Sequence, residues 1–146
     1  MKKVMIIFIT LILLAVTGCS DKDVKKHHFV FKGENDYWTV VYEVNAIETF
    51  FKKDGTLHYD SKSNETFTAT YKKDLSDLAS NKNIEISYKS SVGGGKLTEE
   101  IDKANPKKTF SMKSGSTGGA IENEDEVIEV NINIDGNVQT IELKNE

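Results

Sequence analysis

Three histidines and their neighbours are the side chains of this sequence best suited to metal binding or proton transfer. His27 and His28 are adjacent, and His58 lies two residues before Asp60. Neighbouring residues of a strand point to opposite faces, so His27 and His28 would not bind one metal ion together. Zinc sites need three or four such ligands, and the sequence places no thiol or further histidine nearby. Solvated histidines are therefore favoured over a metal site, and we expect no cofactor.

A hydrolytic triad can also be drawn from His58, Asp60 and Ser61. Adjacent strand residues such as Asp60 and Ser61 face opposite sides of a sheet. The sequence also has no Gly-x-Ser-x-Gly motif of the kind that forms a nucleophile elbow. We therefore expect a protein that is not an enzyme.

Two glycine-rich segments are typical of contact loops. Residues 93–96 read Gly-Gly-Gly-Lys, but a phosphate-binding loop fails at two required positions, Ser90 and Leu97. A flexible hairpin tip or bulge is the better interpretation, and residues 115–119 are typical of a mobile loop between strands. Binding sites concentrate in exposed loops. The residues that we expect at such contacts are Gly94 and Gly118.

An acidic segment precedes the penultimate predicted strand and could bind calcium through carboxylate oxygens. It does not have the ligand spacing of an EF-hand loop. A solvated acidic turn is therefore favoured. The carboxylates belong to Glu122, Glu124, Asp125 and Glu126.

Cys19 is the only cysteine of the chain, and it follows a short basic and apolar leader. Residues 4–16 carry no charge and would form a helix of about 20 Å, shorter than the roughly 30 Å that a transmembrane helix must cross. A charged start, a short apolar centre and small residues before a cleavage site are typical of a signal peptide. We therefore expect residues 1–18 to be removed by cleavage between Gly18 and Cys19.

The end of this leader, Leu-Leu-Ala-Val-Thr-Gly-Cys at residues 13–19, resembles the lipobox of bacterial lipoproteins rather than the Ala-x-Ala end of an ordinary secretory signal. The lipobox implies that the sulfur of Cys19 receives a diacylglyceryl group. Two acyl chains anchor a protein stably to a membrane. The predicted location is therefore the outer face of the cell membrane, with an ordinary secretory signal or an uncleaved anchor as the alternative.

The composition excludes some partners. Residues 19–146 carry 17 lysines against 23 acidic side chains, a formal charge of −6, and the sequence has no arginine. Arginine is the residue best suited to bidentate phosphate recognition, so we expect no binding to nucleic acid. The charge also disfavours electrostatic attraction to anionic lipids. We expect residues 19–28 to be a polar tether after the lipidated cysteine, and residues 29–146 to form one domain.

Apolar and polar residues alternate with a period of two from Phe29 onward, which predicts short β-strands. Asp54-Gly55 and Asp135-Gly136 stand between alternating runs and predict tight hairpins, because a type I′ turn needs positive φ at both central residues. The alternating runs contain Phe29 and Phe31, Trp38 to Ala46, Leu57 and Tyr59, Phe67 to Tyr71, Ile84 to Tyr88, Phe110 and Met112, Ile128 to Ile134, and Ile141 and Leu143.

One short connecting helix is predicted at residues 74–79, where Asp74 can cap the first turn and Leu75 and Leu78 share a face. Residues 97–105 fit either a second helix or a loop. About eight short strands predict an all-β fold of two antiparallel sheets packed as a sandwich, of which the immunoglobulin-like arrangement is one form. Partial closure into a small barrel is the alternative.

Two segments resemble small lipoproteins of bacillus-type bacteria: Gly-Glu-Asn-Asp-Tyr-Trp at residues 33–38, and residues 125–130 with the hairpin that follows them. In those proteins a Gly-Glu-x-x-x-Trp start and a C-terminal strand–turn–strand bracket a domain of this size. The resemblance covers most of residues 30–144 and departs from the family at residues 133–135, where a tryptophan often precedes the turn. It implies the fold and the location, and it implies no biochemical activity.

These observations lead to two functional hypotheses. The first is a non-catalytic binding module that contacts an envelope or extracellular protein through its loops. The second is a carrier or sensor that encloses a small apolar ligand between the sheets, with Trp38, Tyr42 and Tyr88 lining the pocket. Trp38 is more simply a core residue. A filled core would favour the module, and a wide aromatic cavity would favour the carrier.

Overall fold

Eight strands and one short helix account for most of residues 22–146, which are the residues that the computed structural model describes. Every strand pairing is antiparallel, which confirms the predicted all-β class. The elements are β1 (Lys22–Glu34), β2 (Trp38–Lys53), β3 (Thr56–Tyr71), α1 (Leu75–Ala79), β4 (Asn83–Lys89), β5 (Gly94–Glu100), β6 (Thr109–Thr117), β7 (Ile128–Ile134) and β8 (Asn137–Asn145).

The strands form one eight-stranded antiparallel sheet in the order β5-β4-β7-β8-β1-β2-β3-β6. Its two halves, β1-β2-β3-β6 and β5-β4-β7-β8, pack against each other as the two sheets of the sandwich. A short ladder between β1 and β8 joins them, with Phe31 opposite Asn145 and Lys32 opposite Lys144. At this seam a Cβ on Gly33 would collide with the backbone carbonyl of Glu142, so only glycine lets the two strands approach this closely.

The immunoglobulin-like form is not the one adopted. In that fold, one sheet contains the first, second, fifth and fourth strands of the chain, in that order. Here β1, β2 and β3 form a continuous meander, and β6 is added at its edge. The two long hairpins of this meander arise because the alternating runs on either side of each turn are consecutive in the sequence.

The core lies between the two sheets and is made of the alternating apolar residues that the sequence analysis identified. Tyr88 on β4 stacks on Phe67 of β3 with ring centroids 5.1 Å apart, which ties the sheets together. The largest side chains with almost no exposed surface include Trp38, Phe31, Phe67, Leu78, Ile84, Ile86, Ile128, Ile132 and Leu143.

Both predicted Asp-Gly hairpins are confirmed by the backbone angles. The φ angles are 51° and 77° at Asp54 and Gly55, and 48° and 95° at Asp135 and Gly136. Positive φ at both central residues is the type I′ pattern, which matches the right-handed twist of the flanking strands.

The predicted helix is confirmed as α1, and the alternative of a second helix at residues 97–105 is wrong. The Asp74 side chain accepts a hydrogen bond from the backbone N–H of Ser76, and Leu78 is buried against the core. Residues 97–100 instead complete β5, because the neighbouring strand β4 offers a full antiparallel ladder. Pairing of the backbone with β4 prevails over the weak helical spacing of two apolar residues.

The folded region begins at Lys22 rather than at Phe29. Residues 22–28 pair with residues 51–45 of β2, so they form a strand and not the tether that we expected there. Their side chains are almost all exposed, and an alternating apolar pattern cannot reveal a strand that has no buried face.

Part of the first sheet extends past the sandwich. β6 pairs with β3 only from Lys62 onward, and β8 pairs with β1 only at Phe31 and Lys32. Residues 22–26 and 47–61 therefore project as a three-stranded sheet, which we call the arm. At its end, Lys22 lies opposite Phe51, next to the Asp54-Gly55 turn.

Candidate functional site

A cleft at one end of the sandwich brings together most of the residues that we expected at a ligand or loop contact. Its volume is about 230 Å³. Tyr42, Glu65 and Tyr88 from the strands line it, together with the β4–β5 turn, the end of β6 and the segment that follows β6. The turn and loop residues are Val92, Gly93, Gly94, Ser114, Gly115, Ser116, Gly119, Ala120 and Glu122.

A buried carboxylate is the central group of this cleft. The Tyr42 hydroxyl donates a hydrogen bond of 2.8 Å to Oε1 of Glu122, and the Ser90 hydroxyl donates one of 3.2 Å to the same oxygen. Glu122 is only 6% exposed. Its Oε2 accepts no hydrogen bond from any residue between 22 and 146. One oxygen is therefore fixed by the protein, and the other remains able to accept from a ligand.

Burial and the neighbouring carboxylate both raise the pKa of the Tyr42 hydroxyl. Desolvation raises the pKa of the Tyr42 hydroxyl, and its hydrogen bond to Glu122 raises it further. A phenolate here would lie against a carboxylate in a poorly hydrated place, which is unfavourable on both counts. Tyr42 is therefore a hydrogen-bond donor that holds Glu122, and the arrangement is unsuited to a tyrosine base.

The aromatic wall of the cleft is well ordered by packing. The ring centroid of Tyr88 lies 4.9 Å from that of Tyr42, and the Tyr88 ring also stacks on that of Phe67. Gly95 lies under the Tyr88 ring, where an added Cβ would come within 2.5 Å of Cε1. This close approach explains a glycine in the middle of the Gly-Gly-Gly-Lys segment.

A second carboxylate, that of Glu65, lines the same cleft and is half-buried. Neither Glu65 nor Glu122 has a lysine or histidine nitrogen within 4.0 Å in the described part of the chain. Two acidic side chains thus share a small concave site without a counter-charge. Such a site favours a ligand that carries a positive charge and N–H donors.

The loop glycines have distinct roles. The β4–β5 turn spans residues 90–93, so the predicted hairpin tip is present, but Gly94 already belongs to β5. Gly118 has φ of +74° and donates its N–H to the Ser61 carbonyl, which turns the chain off the end of β6. Residues 115–117 are strand rather than the mobile loop that we expected, because they pair with residues 64–62 of β3.

Trp38 does not take part in the cleft. It is fully buried and packs against Tyr71 and Phe110, with centroid distances of 5.0 and 5.9 Å. Its Nε1–H finds no hydrogen-bond partner within residues 22–146. The simpler interpretation of Trp38 as a core residue is therefore confirmed.

The burial of Glu122 was not predicted, because its charge pattern indicates a solvated acidic turn, and that interpretation is wrong for this residue. The segment folds back onto the β4–β5 turn, where the Glu126 carboxylate accepts from the backbone N–H and the hydroxyl of Ser91. This contact spans 35 positions in the sequence. A one-dimensional pattern contains no signal for such a pairing.

The histidines are not brought together. His27 Nε2 lies 2.7 Å from a Glu48 carboxylate oxygen, and His28 bonds Asn45 on the opposite face. His58 stacks on Phe51, with centroids 5.3 Å apart. Between residues 22 and 146, no three His, Cys, Asp or Glu side chains are arranged to hold a metal ion.

Gly18 and Cys19, the predicted cleavage and lipidation residues, lie outside the described residues. Within residues 22–146, the structure contains no helix that is long and apolar enough to cross a membrane. No protein-family model matches the chain, and neither a curated protein nor a solved structure does.

Proposed function

We propose that this chain is a lipid-anchored extracytoplasmic protein whose β-domain is a non-catalytic binding module for another protein of the cell envelope or its exterior. Support for the location comes from the leader that ends in Gly18-Cys19 and from the resemblance to small bacillus-type lipoproteins. Acylation of Cys19 supplies two hydrocarbon chains, which are enough for stable anchoring.

The observation that carries the binding proposal is the acidic cleft with Glu122 at its centre. Tyr42 and Ser90 hold one oxygen of this carboxylate, so the other oxygen is presented to a ligand in a fixed position. A lysine ammonium group from a partner protein fits the charge and donor requirement. Glu65 supplies the second negative charge at the rim.

The apolar carrier is the less supported candidate. The space between the sheets is occupied by large side chains, including Trp38, Phe31 and Phe67. The cleft of about 230 Å³ lies below the roughly 300–1,000 Å³ typical of small-molecule pockets. A carrier would also need an apolar lining, whereas two carboxylates line this cleft.

The binding proposal is tested by affinity capture with the purified mature protein on envelope extracts, followed by mass spectrometry of what is retained. We expect one protein to be retained, and its retention to fall at least several-fold with Glu65→Gln, which removes a charge without disturbing the fixed Glu122. Glu142→Gln, on the exposed face of β8, is the matched control and should not change the retention.

Equal retention by both variants would contradict the role of the cleft. Copurification of a small apolar molecule, with no retained protein, would favour the carrier instead.

The anchor is tested separately with Cys19→Ser. We expect this variant to leave the membrane pellet and to lack the lipid mass on the mature chain. A variant that stays in the pellet after a salt wash and still carries residues 1–18 would contradict the proposed anchor.

A further inference from the structure

The arm has no core of its own and leaves apolar side chains uncovered on both of its faces. Leu57 and Tyr59 on one face are 65% and 43% exposed, and Val24 on the other is 48% exposed. A sheet this small needs an apolar face or packing against another element for independent stability. Exposed apolar groups that cluster in one place are typical of a contact surface.

The arm also differs from the rest of the domain in charge. It carries five lysines against four acidic side chains, a net charge of +1, while the other described residues carry twelve lysines against eighteen acids, a net charge of −6. None of its five lysines forms an ion pair within residues 22–146. The negative charge of the described residues therefore lies outside the arm, and the arm itself is slightly positive.

The path of the chain places this arm beside the proposed anchor. β1 begins at Lys22, at the end of the arm, and Cys19 is three residues earlier, a distance of at most about 10 Å when extended. Uncovered aliphatic groups, aromatic rings and lysines in one surface are the composition that suits the interface between lipid headgroups and acyl chains.

We propose that the arm lies on the anionic lipid surface of the membrane, with the Asp54-Gly55 turn and the start of β1 in contact with headgroups. This inference rests on the proposed anchor at Cys19, which supplies the attachment, while the arm sets the orientation. The acidic cleft lies at the base of the arm, since Gly119, which lines the cleft, accepts hydrogen bonds from Tyr59 and Ser61 of the arm.

A second copy of the chain is the less suitable occupant. The free edge of β1 could pair with the same edge of another molecule. An antiparallel pairing centred on Val24 would place Lys22 of each copy opposite Lys26 of the other. Like charges on facing strands are destabilising, and edge lysines are a common protection against such pairing.

The test uses the full chain, matured in a bacterial host and reconstituted into vesicles of phosphatidylglycerol and phosphatidylcholine. Because Cys19 is acylated, Leu57→Cys provides a single free thiol for an environment-sensitive fluorophore. Val138→Cys is the matched control, since Val138 is 60% exposed and lies at the opposite end of the sheets. Leu57 lies opposite Lys52, and the 13 residue steps along β2 from Thr39 to Lys52 alone span about 40 Å.

We expect a lipid-borne quencher to reduce the emission of the label at position 57 several-fold more than that at position 138. Equal quenching at both positions, or none at position 57, overturns the inference even when the protein sediments with the vesicles. Sedimentation together with the intact mass reports the anchor independently. A chain without lipid that is still quenched at position 57 would contradict the anchor and support the arm.

The lysines are tested with Lys52→Glu/Lys53→Glu in the Leu57→Cys background. We expect these substitutions to reduce quenching at position 57 several-fold. For the labelled protein with its lysines intact, we expect a similar reduction in vesicles of phosphatidylcholine alone. The control Lys107→Glu/Lys108→Glu makes the same change of charge near the far end of β3 and should have no effect. Quenching that is independent of both the lysines and the lipid charge would overturn the electrostatic part. Loss of quenching upon chain dimerisation, shown by cross-linking, would favour a second copy.

Discussion

Replacement of Tyr42 by phenylalanine tests the buried carboxylate on which the site depends. The change removes one hydroxyl and retains the ring that packs on Tyr88. A hydrogen bond to a charged group contributes about 1.5–3 kcal/mol, and Glu122 would keep only its longer bond from Ser90. We expect the free energy of unfolding to fall by about 2 kcal/mol, and the thermal midpoint by about 8 °C.

Tyr88→Phe is the matched control, because its hydroxyl donates to no other residue between 22 and 146 although it lies in the same cleft. Urea unfolding of both variants and the parent at neutral pH measures the difference. A loss in Tyr88→Phe equal to that in Tyr42→Phe would refute the reasoning, since it would attribute the cost to the cleft in general and not to Glu122.

The pH dependence gives a second, independent measure of the same contact. The folded state holds the pKa of Tyr42 above its ordinary value of 10.0. Below pH 10 the hydroxyl is protonated in both states and has no effect on the slope. Above pH 10 the unfolded chain releases this proton and the folded chain keeps it, so stability falls by up to about 1.4 kcal/mol per pH unit. The slope should be shallower by this amount in Tyr42→Phe, and an unchanged slope would contradict the assignment.

Three further changes test the seam, a turn and the helix. Gly33→Ala should cost about 1–3 kcal/mol in urea unfolding, because the added methyl group collides with β8, while Gly93→Ala, which enters open space, should cost far less. The pKa of Asp135 is lowered by two backbone N–H groups at the start of β4, so its contribution to stability is present above pH 4 and lost as the pH falls; Asp135→Asn should flatten the acid limb of a stability–pH curve, and an unchanged limb would argue against this contact. Leu78→Ala should cost about 2–4 kcal/mol by thermal unfolding, and more than Leu75→Ala, since only Leu78 is fully buried.

The sequence predicted the parts of this fold that depend on local pattern. The Asp54-Gly55 and Asp135-Gly136 turns followed from the requirement for positive φ. The core followed from the period-two alternation, because one face of each central strand is buried. α1 followed from a capping aspartate and two leucines three positions apart.

The predictions that were wrong concern structure that depends on contacts between distant segments. Residues 22–28 form a strand through backbone pairing with β2, and their exposed side chains leave no alternating pattern. Residues 97–100 become strand because β4 pairs with them. In each case the backbone ladder, which is independent of side-chain type, decided the structure.

The sequence predicted two aromatic residues and one loop glycine of the candidate site, Tyr42, Tyr88 and Gly94. Tyr42 and Tyr88 are alternating strand residues, so their approach across the core could be anticipated. Glu122 reaches the Tyr42 hydroxyl from 80 residues away, and its charge pattern indicated exposure. Buried charges are rare, and only a three-dimensional arrangement shows which member of an acidic run is enclosed.

The joining of the first strand to the last makes completion of folding a late event. The backbone N–H of Val30 donates to the Asn145 side chain, a contact that spans 115 positions, and such long loops are closed slowly. A nascent chain can form its early hairpins alone, but β1 and β7 each keep an unpaired edge until β8 arrives. Open edges invite pairing with other chains. The final strand of nine residues therefore acts as the closing element, and a chain truncated before it is expected to aggregate rather than to lose a peripheral strand.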